Sequence, residues 1–376
     1  MDKFAFIIHP LEAKDVAKKF GLAKYLPDRL IEWGLKKLPA FKASHITGVK
    51  SPYNEVEGYF ITCPLTTRQM VELPEEFVLG KIIEAGKVAE KLGAKIVGLG
   101  AFTSVVGDAG ITVAKNLNIA VTTGNSYTVA TALEGTKKAA AIMGHDLKKA
   151  NVVVIGAAGS IGKVAARFMA KEVKNLTLVG RNLAKLEPVA DLILKESGLA
   201  VAITDNVKKS LKEADIVITV TSSVDTIIEP EDLKPGAVVC DVSRPRDVSK
   251  EVAKLRDDVL VIEGGVVEVP GDVEFNLNFG FPPKTSYACM AETMILTLEG
   301  RFENFSLGRD MELEKVEEIS RLAQKHGFKV GGFRSFERAI SSEEIEKIRK
   351  NALKKSVFAT YNFLTSFSSS FIINCV

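Results

Sequence analysis

Through the middle of the chain, short runs of β-branched residues alternate with longer amphipathic or charged stretches. The apolar runs fall at 151–155, 176–179, 200–204, 215–221, 237–241 and 259–263. Each is continuously apolar rather than alternating, which predicts strands buried on both faces and therefore a parallel sheet. Between them, 164–174, 183–196 and 207–213 have helical patterns. Six strands joined by crossovers predict an α/β fold with a doubly wound parallel sheet over residues 131–280. Residues 1–130 predict a second α/β domain that would hold the substrate, with strands at 4–9, 56–63, 95–99 and 119–122 and helices at 15–20 and 75–92. A long helical pattern over 126–142 joins the two. Residues 281–376 predict a helical region packing back on the first domain, with helices after Pro282-Pro283 to about 299, at 312–326 and at 342–356. The stretch 361–376 is apolar and Ser-rich with no charge, and no function is assigned to it.

Composition narrows the class. The 376 residues suit two or three domains, and 46% hydrophobic with 26% charged residues excludes a disordered chain. Fifty Lys and Arg against 47 Asp and Glu leave a net charge of +3, too little for a nucleic-acid binder. Met1-Asp2-Lys3 opens no signal peptide, and no apolar run approaches the ~20 residues that span a bilayer. The four cysteines (Cys63, Cys240, Cys289, Cys375) form no CxxC pair and have no metal-ligand spacing, so no metal is expected. Their scarcity points to a reducing cytoplasm, where an unusual cysteine is catalytic rather than disulfide-bonded.

The run 152–155 leads straight into Gly156-Ala157-Ala158-Gly159-Ser160-Ile161-Gly162. Glycines at 156, 159 and 162 follow a strand and precede a helix, the context of a pyrophosphate-binding turn. Gly156 permits the turn, Gly159 lets the backbone approach phosphate, and Gly162 lets the helix pack closely; Ala158, Ser160 and Ile161 complete the loop. After the second strand an NAD site normally carries an acidic residue, but this chain has Gly180-Arg181-Asn182. Arg181, with Asn182 beside it, suits the 2′-phosphate of NADPH. Gly264-Gly265, after the last strand, would let a nicotinamide come close.

Such a domain implies hydride transfer, and its substrate has to be inferred from other residues. In Pro282-Pro283-Lys284-Thr285-Ser286-Tyr287-Ala288-Cys289-Met290-Ala291-Glu292, Thr285 or Ser286 is a natural helix cap. Cys289 then falls in the first helical turn, where the dipole would lower a thiol pKa, with Glu292 three residues on along the same face. The same position also suits a buried cysteine packing as a small hydrophobe. His9 ends the first strand, where residues facing a cleft lie, and joins Cys289 and Glu292 as a candidate catalytic residue, with a purely structural role as its alternative. Ser104, Thr123 and Asn125 sit in polar loops after two other strands, where α/β proteins line a ligand crevice; helix capping accounts for Asn125 equally well.

Taken together, several stretches resemble the long-chain acyl-[acyl-carrier-protein] reductases: Phe6-Ile7-Ile8-His9, Gly100-Ala101-Phe102-Thr103-Ser104, Thr122-Thr123-Gly124-Asn125, the glycine loop, Gly264-Gly265-Val266-Val267-Glu268, Ala288-Cys289-Met290-Ala291-Glu292 and Asn304-Phe305-Ser306. The likeness covers residues 4 to about 330 in a single order; the stretch after Val105 looks shorter than in that family, and nothing beyond about 335 matches. It implies NADPH-dependent reduction of a fatty acyl thioester to a fatty aldehyde, through an acyl group on Cys289. The acyl donor would be acyl carrier protein or acyl-CoA, and Lys14, Lys18, Lys19, Lys36 and Lys37 could dock an acidic carrier. Two other readings fit the same domain pair. One is a shikimate-, quinate- or methylene-tetrahydropterin-type dehydrogenase, which needs no thiol. The other is a non-catalytic NADP(H) sensor.

Overall fold

The computed structural model describes residues 1–15, 25–221, 223, 225–243, 246–263, 266–278, 282–336 and 338–355. The chain divides into two compact units, Met1–Thr131 with Val266–Gly331 and Ala132–Gly265 with Gly332–Val376.

The first unit is built on a five-stranded sheet ordered β2-β3-β1-β4-β5, comprising β1 (Asp2–Ile8), β2 (Phe41–Lys50), β3 (Glu55–Thr62), β4 (Ile96–Leu99) and β5 (Ala120–Thr122). Only β2 runs antiparallel to its neighbour. Because strand side chains alternate, the sheet has two distinct apolar faces. Ala5, Ile7, Ile61 and Val97 form one core with Val78, Ile82, Ala85 and Ala89 of the Glu75–Lys91 helix. Phe4 and Phe6 point the other way, toward the side where Thr293 of the Ala288–Leu298 helix lies against Gly98. That helix is covered by the sheet and by the Leu313–His326 helix, which explains its apolar residues all round and the burial of every residue in it but Cys289.

The second unit carries a six-stranded, all-parallel sheet ordered β11-β10-β9-β6-β7-β8. Its strands are β6 (Asn151–Ile155), β7 (Asn175–Val179), β8 (Ala202–Thr204), β9 (Ile216–Thr219), β10 (Val238–Asp241) and β11 (Leu260–Glu263). Counted from β6, this is the doubly wound dinucleotide-binding order, with its switch point between β6 and β9. The core under β6, β9 and β10 joins Val153, Val217 and Val239 to Leu211, Ile228 and Val252.

The sequence pattern divides the chain at 130/131 and 280/281; by its contacts the first unit takes in Val266–Gly331 as well as Met1–Thr131, and the second takes in Gly332–Val376 as well as Ala132–Gly265. The next strand, β12 (Val266–Glu268), pairs antiparallel with β13 (Thr285–Tyr287) in the first unit. Residues 281–376 are not a single helical region: they are shared between the units and include the hairpin β14 (Lys329–Ser335) and β15 (Arg338–Ile340). The expected helix at 15–20 and the stretch 361–376 fall on residues outside the described ones, apart from Asp15.

Candidate functional site

Cys289 sits in the first turn of the Ala288–Leu298 helix and is half-buried. The helix cap is Tyr287, which makes no side-chain capping bond; Ser286, fully buried, donates to the Tyr287 carbonyl 3.2 Å away. The backbone N–H groups of Cys289 and Met290 draw the thiol pKa down, as the dipole argument expects. Burial opposes them and is the larger effect, so the thiol is pushed up to about 12, with the Glu292 charge adding to the rise. The expected lowering is therefore not met.

What holds this turn is the segment after β5. Gly124 has φ +75°, and a Cβ there would overlap the backbone and Cβ of Cys289, lying 2.7 Å from its carbonyl oxygen. Only glycine permits that approach. Glu292, wholly buried, reaches back to the same segment: it accepts from the Thr122 hydroxyl and, at 2.8 Å, from the Tyr127 N–H. Tyr127 lies in the first turn of the Asn125–Met143 helix, where a helix supplies no carbonyl of its own to the N–H groups. Burial raises the Glu292 pKa despite these donors.

Asn304-Phe305-Ser306 closes the other side. Phe305 N–H donates to the Val121 carbonyl at 3.0 Å, and Val121 N–H to Asn304 Oδ1 at 2.9 Å. Ser306, at φ +51°, donates from its hydroxyl to Ser126 at 2.7 Å, while the Thr123 hydroxyl donates to the Ser306 carbonyl. Thr123 is thus committed to this knot, and the Ser104 hydroxyl bonds the Ala101 carbonyl at 2.7 Å. Asn125 is the first residue of its helix. Ser126 stands out in sequence as part of the polar loop that opens its helix, and Ser306 as part of the family-like Asn304-Phe305-Ser306 stretch; that the two bond each other was not legible, because a loop bonded across a strand edge has no periodicity.

His9 follows β1. Its Nε2 accepts from the Phe102 N–H at 3.2 Å, which leaves Nδ1 protonated and donating to the Pro10 carbonyl at 3.0 Å. Burial lowers its pKa, so the ring is neutral with both nitrogens engaged. Cys63 and Cys240 are core residues; burial pushes the Cys63 thiol up to about 12, and Cys240 donates to the Ala132 carbonyl.

In the second unit, Gly156 ends β6 with φ +81°, and a Cβ there would strike the Val220 carbonyl beyond β9. A Cβ on Gly162 would strike the Gly156 carbonyl, so the Ser160–Ala170 helix packs directly on the turn. Gly159, the helix cap, donates its N–H to the Gly156 carbonyl at 2.9 Å; a Cβ on Gly159 would find only that carbonyl within 4 Å, at 3.3 Å, and no side chain caps the helix. These residues fit a pyrophosphate: a close backbone cradle, exposed at Ala158 and Gly159, facing the positive end of a helix. Ser160 and Ile161 form the first turn of that helix. Arg181 and Asn182 follow β7, both exposed, with Asn182 the cap of the next helix. Gly264 and Gly265 lie outside the described residues.

Sequence reasoning missed Asp247. Fully buried, it accepts from the hydroxyls of Thr219, Ser243 and, at 2.5 Å, Thr221, beyond the ends of β9 and β10. It fixes the loop against which Gly156 packs. The sequence signal was Asp241, Ser243 and Asp247 closely following a strand. Among the described residues no cluster of side chains could hold a metal, and no helix is long and apolar enough to cross a membrane.

Against known proteins, residues 137–263 match the Shikimate / quinate 5-dehydrogenase family. The chain is 30% identical to aminotransferase PigE of a Serratia species over 93% of its length, but spans only 42% of that protein. It is 28% identical to the long-chain acyl-[acyl-carrier-protein] reductase of Synechococcus elongatus, over 84% of this chain and 94% of the relative. Glutamyl-tRNA reductase of Cyanophora paradoxa is 26% identical over 46% of this chain and 41% of its own. The match to the first family lies on the parallel sheet and its glycine turn; the second relative also spans the Cys289 segment.

Proposed function

We propose that this protein is an NADPH-dependent oxidoreductase that reduces a long-chain fatty acyl thioester, carried on acyl carrier protein or coenzyme A, to the fatty aldehyde. The observation that carries the reading is Cys289, half-buried at the uncapped start of a buried helix and fixed there by Gly124 and Glu292. The near-complete coverage of the Synechococcus reductase supports it. Gly156, Gly159 and Gly162 would hold the pyrophosphate and Arg181 the 2′-phosphate. When bound, the reduced nicotinamide supplies the hydride that takes the acyl group to the aldehyde level.

The residues of the chain perform the transfer that precedes reduction. The Cys289 sulfur bonds to the thioester carbon, the carbon–sulfur bond to the carrier breaks, and the Cys289 proton leaves with the carrier thiol. One thioester replaces another, so the exchange is close to neutral in energy. The N–H groups of Cys289 and Met290 suit the negative charge that develops at the reacting centre. His9, with both nitrogens bonded, serves to hold the Phe102 turn. Glu292 positions the Cys289 turn; it does not face the reacting atoms as a free carboxylate.

Incubation with a palmitoyl thioester and no cofactor, read by intact-mass spectrometry, tests this. We expect an adduct of the acyl mass in the native protein and none in Cys289→Ala. A second reading, direct reduction of a carbonyl without any thiol, is favoured by the high Cys289 pKa and by the dehydrogenase family matched over 137–263. Full turnover by Cys289→Ser would select it.

A further inference from the structure

The Asp28–Lys37 helix of the first unit is apolar on two sides. Ile31 and Leu35 pack inward on Ala13. Its one buried acid, Glu32, accepts from the Thr66 hydroxyl at 2.9 Å and pairs with Arg68. On the outer side, Leu30 and Trp33 lie three residues apart on one helix face, and Leu26 is exposed just before Pro27, which caps the helix. Leu26, Leu30 and Trp33 are 46%, 48% and 59% exposed, and Tyr25 just before them is 82% exposed. Arg29, Lys36 and Lys37 are exposed beside them, and the Lys37 ammonium lies 3.7 Å from the Trp33 ring. Asp28 is the exposed acid of this helix, at its first turn.

We propose that this face docks on an anionic lipid membrane, lying in the headgroup layer rather than crossing it. The chemistry matches on three counts. Large apolar side chains project where water alone would not retain them. Trp and Tyr have the apolar body and polar tip that favour the headgroup level. Three cations border these side chains, each adding about fivefold to partitioning on an anionic surface, and about a hundredfold together. The cations select an anionic surface, and Leu30 and Trp33, with Leu26 close by, need an apolar layer directly behind it, which a lipid headgroup layer provides in one body. The inference stands apart from the reaction proposed above.

The chain has one tryptophan, so its emission reports this face alone. Purified protein is mixed with vesicles of phosphatidylcholine, with and without phosphatidylglycerol, and followed by fluorescence and co-sedimentation. We expect a blue shift and co-sedimentation with phosphatidylglycerol vesicles only, reversal by high salt, and quenching by acyl-brominated lipid. Lys36→Glu with Lys37→Glu should weaken binding at least tenfold, and Leu30→Gln should reduce the blue shift; both positions are exposed, and circular dichroism checks the fold. Emission unchanged by every vesicle would overturn the proposal. So would a blue shift that tracks protein concentration without lipid, which would make a second copy the occupant. A shift produced by purified acyl carrier protein but by no vesicle would overturn it too.

Discussion

Glu292 offers the sharpest test of how the Cys289 turn is held. Replacing it with Ala leaves the Thr122 hydroxyl and the Tyr127 N–H buried with no acceptor. Each orphaned donor costs about 1–3 kcal/mol, so the pair costs about 4 kcal/mol. For a unit of this size that lowers Tm by about 8–16 °C. Glu292→Gln keeps the shape and one carbonyl acceptor and should lose only about 1–3 kcal/mol. The pH dependence separates the two effects. Burial raises the folded pKa of Glu292 above its ordinary 4.5. Its stabilising contribution is therefore fully present below 4.5 and is lost as pH rises through the folded value. Gln does not titrate, so the gap between native protein and Glu292→Gln should narrow as pH rises from 4.5. Urea unfolding across that range gives both numbers. An Ala variant within about 1 kcal/mol of native, less than one orphaned donor would cost, would refute the bonding scheme. Parallel pH profiles for native and Gln proteins would refute the raised pKa.

Two further outcomes can be measured directly. With the Cys289 thiol pushed up to about 12, iodoacetamide labelling followed by peptide mass should quicken about tenfold per pH unit through pH 9, with no plateau near neutrality; a plateau at pH 7 would mean a stabilised thiolate. Arg181→Glu should raise the NADPH KM at least tenfold and leave the NADH KM little changed; an unchanged NADPH value would remove the 2′-phosphate from this side chain.

The parallel sheet was legible because its strands are buried on both faces and read as unbroken apolar runs, as in Val152-Val153-Val154-Ile155. The helix after it starts at Ser160, earlier than the pattern at 164 suggests, because Gly162 interrupts the apolar signal while serving the turn. β2 escaped notice: it lies at the sheet edge with a mixed burial pattern and two register shifts against β3. The Asp28–Lys37 helix escaped because apolar residues on two faces blur its period. At the site, Cys289 and Glu292 stood out by spacing, yet their environment did not. Neither the burial that raises the thiol nor the Thr122 and Tyr127 partners of Glu292 can be inferred from neighbours along the chain.

The contact between Gly124 and Cys289 constrains how the protein can change. With no room for a methyl group at 124, the strand-end loop and the sulfur-bearing turn move as a single mechanical part. A substitution at 123 or 125 that shifts the backbone at 124 would carry the Cys289 turn with it. A chain that acquired a side chain at 124 would need a matching retreat of the 288–290 backbone in the same step.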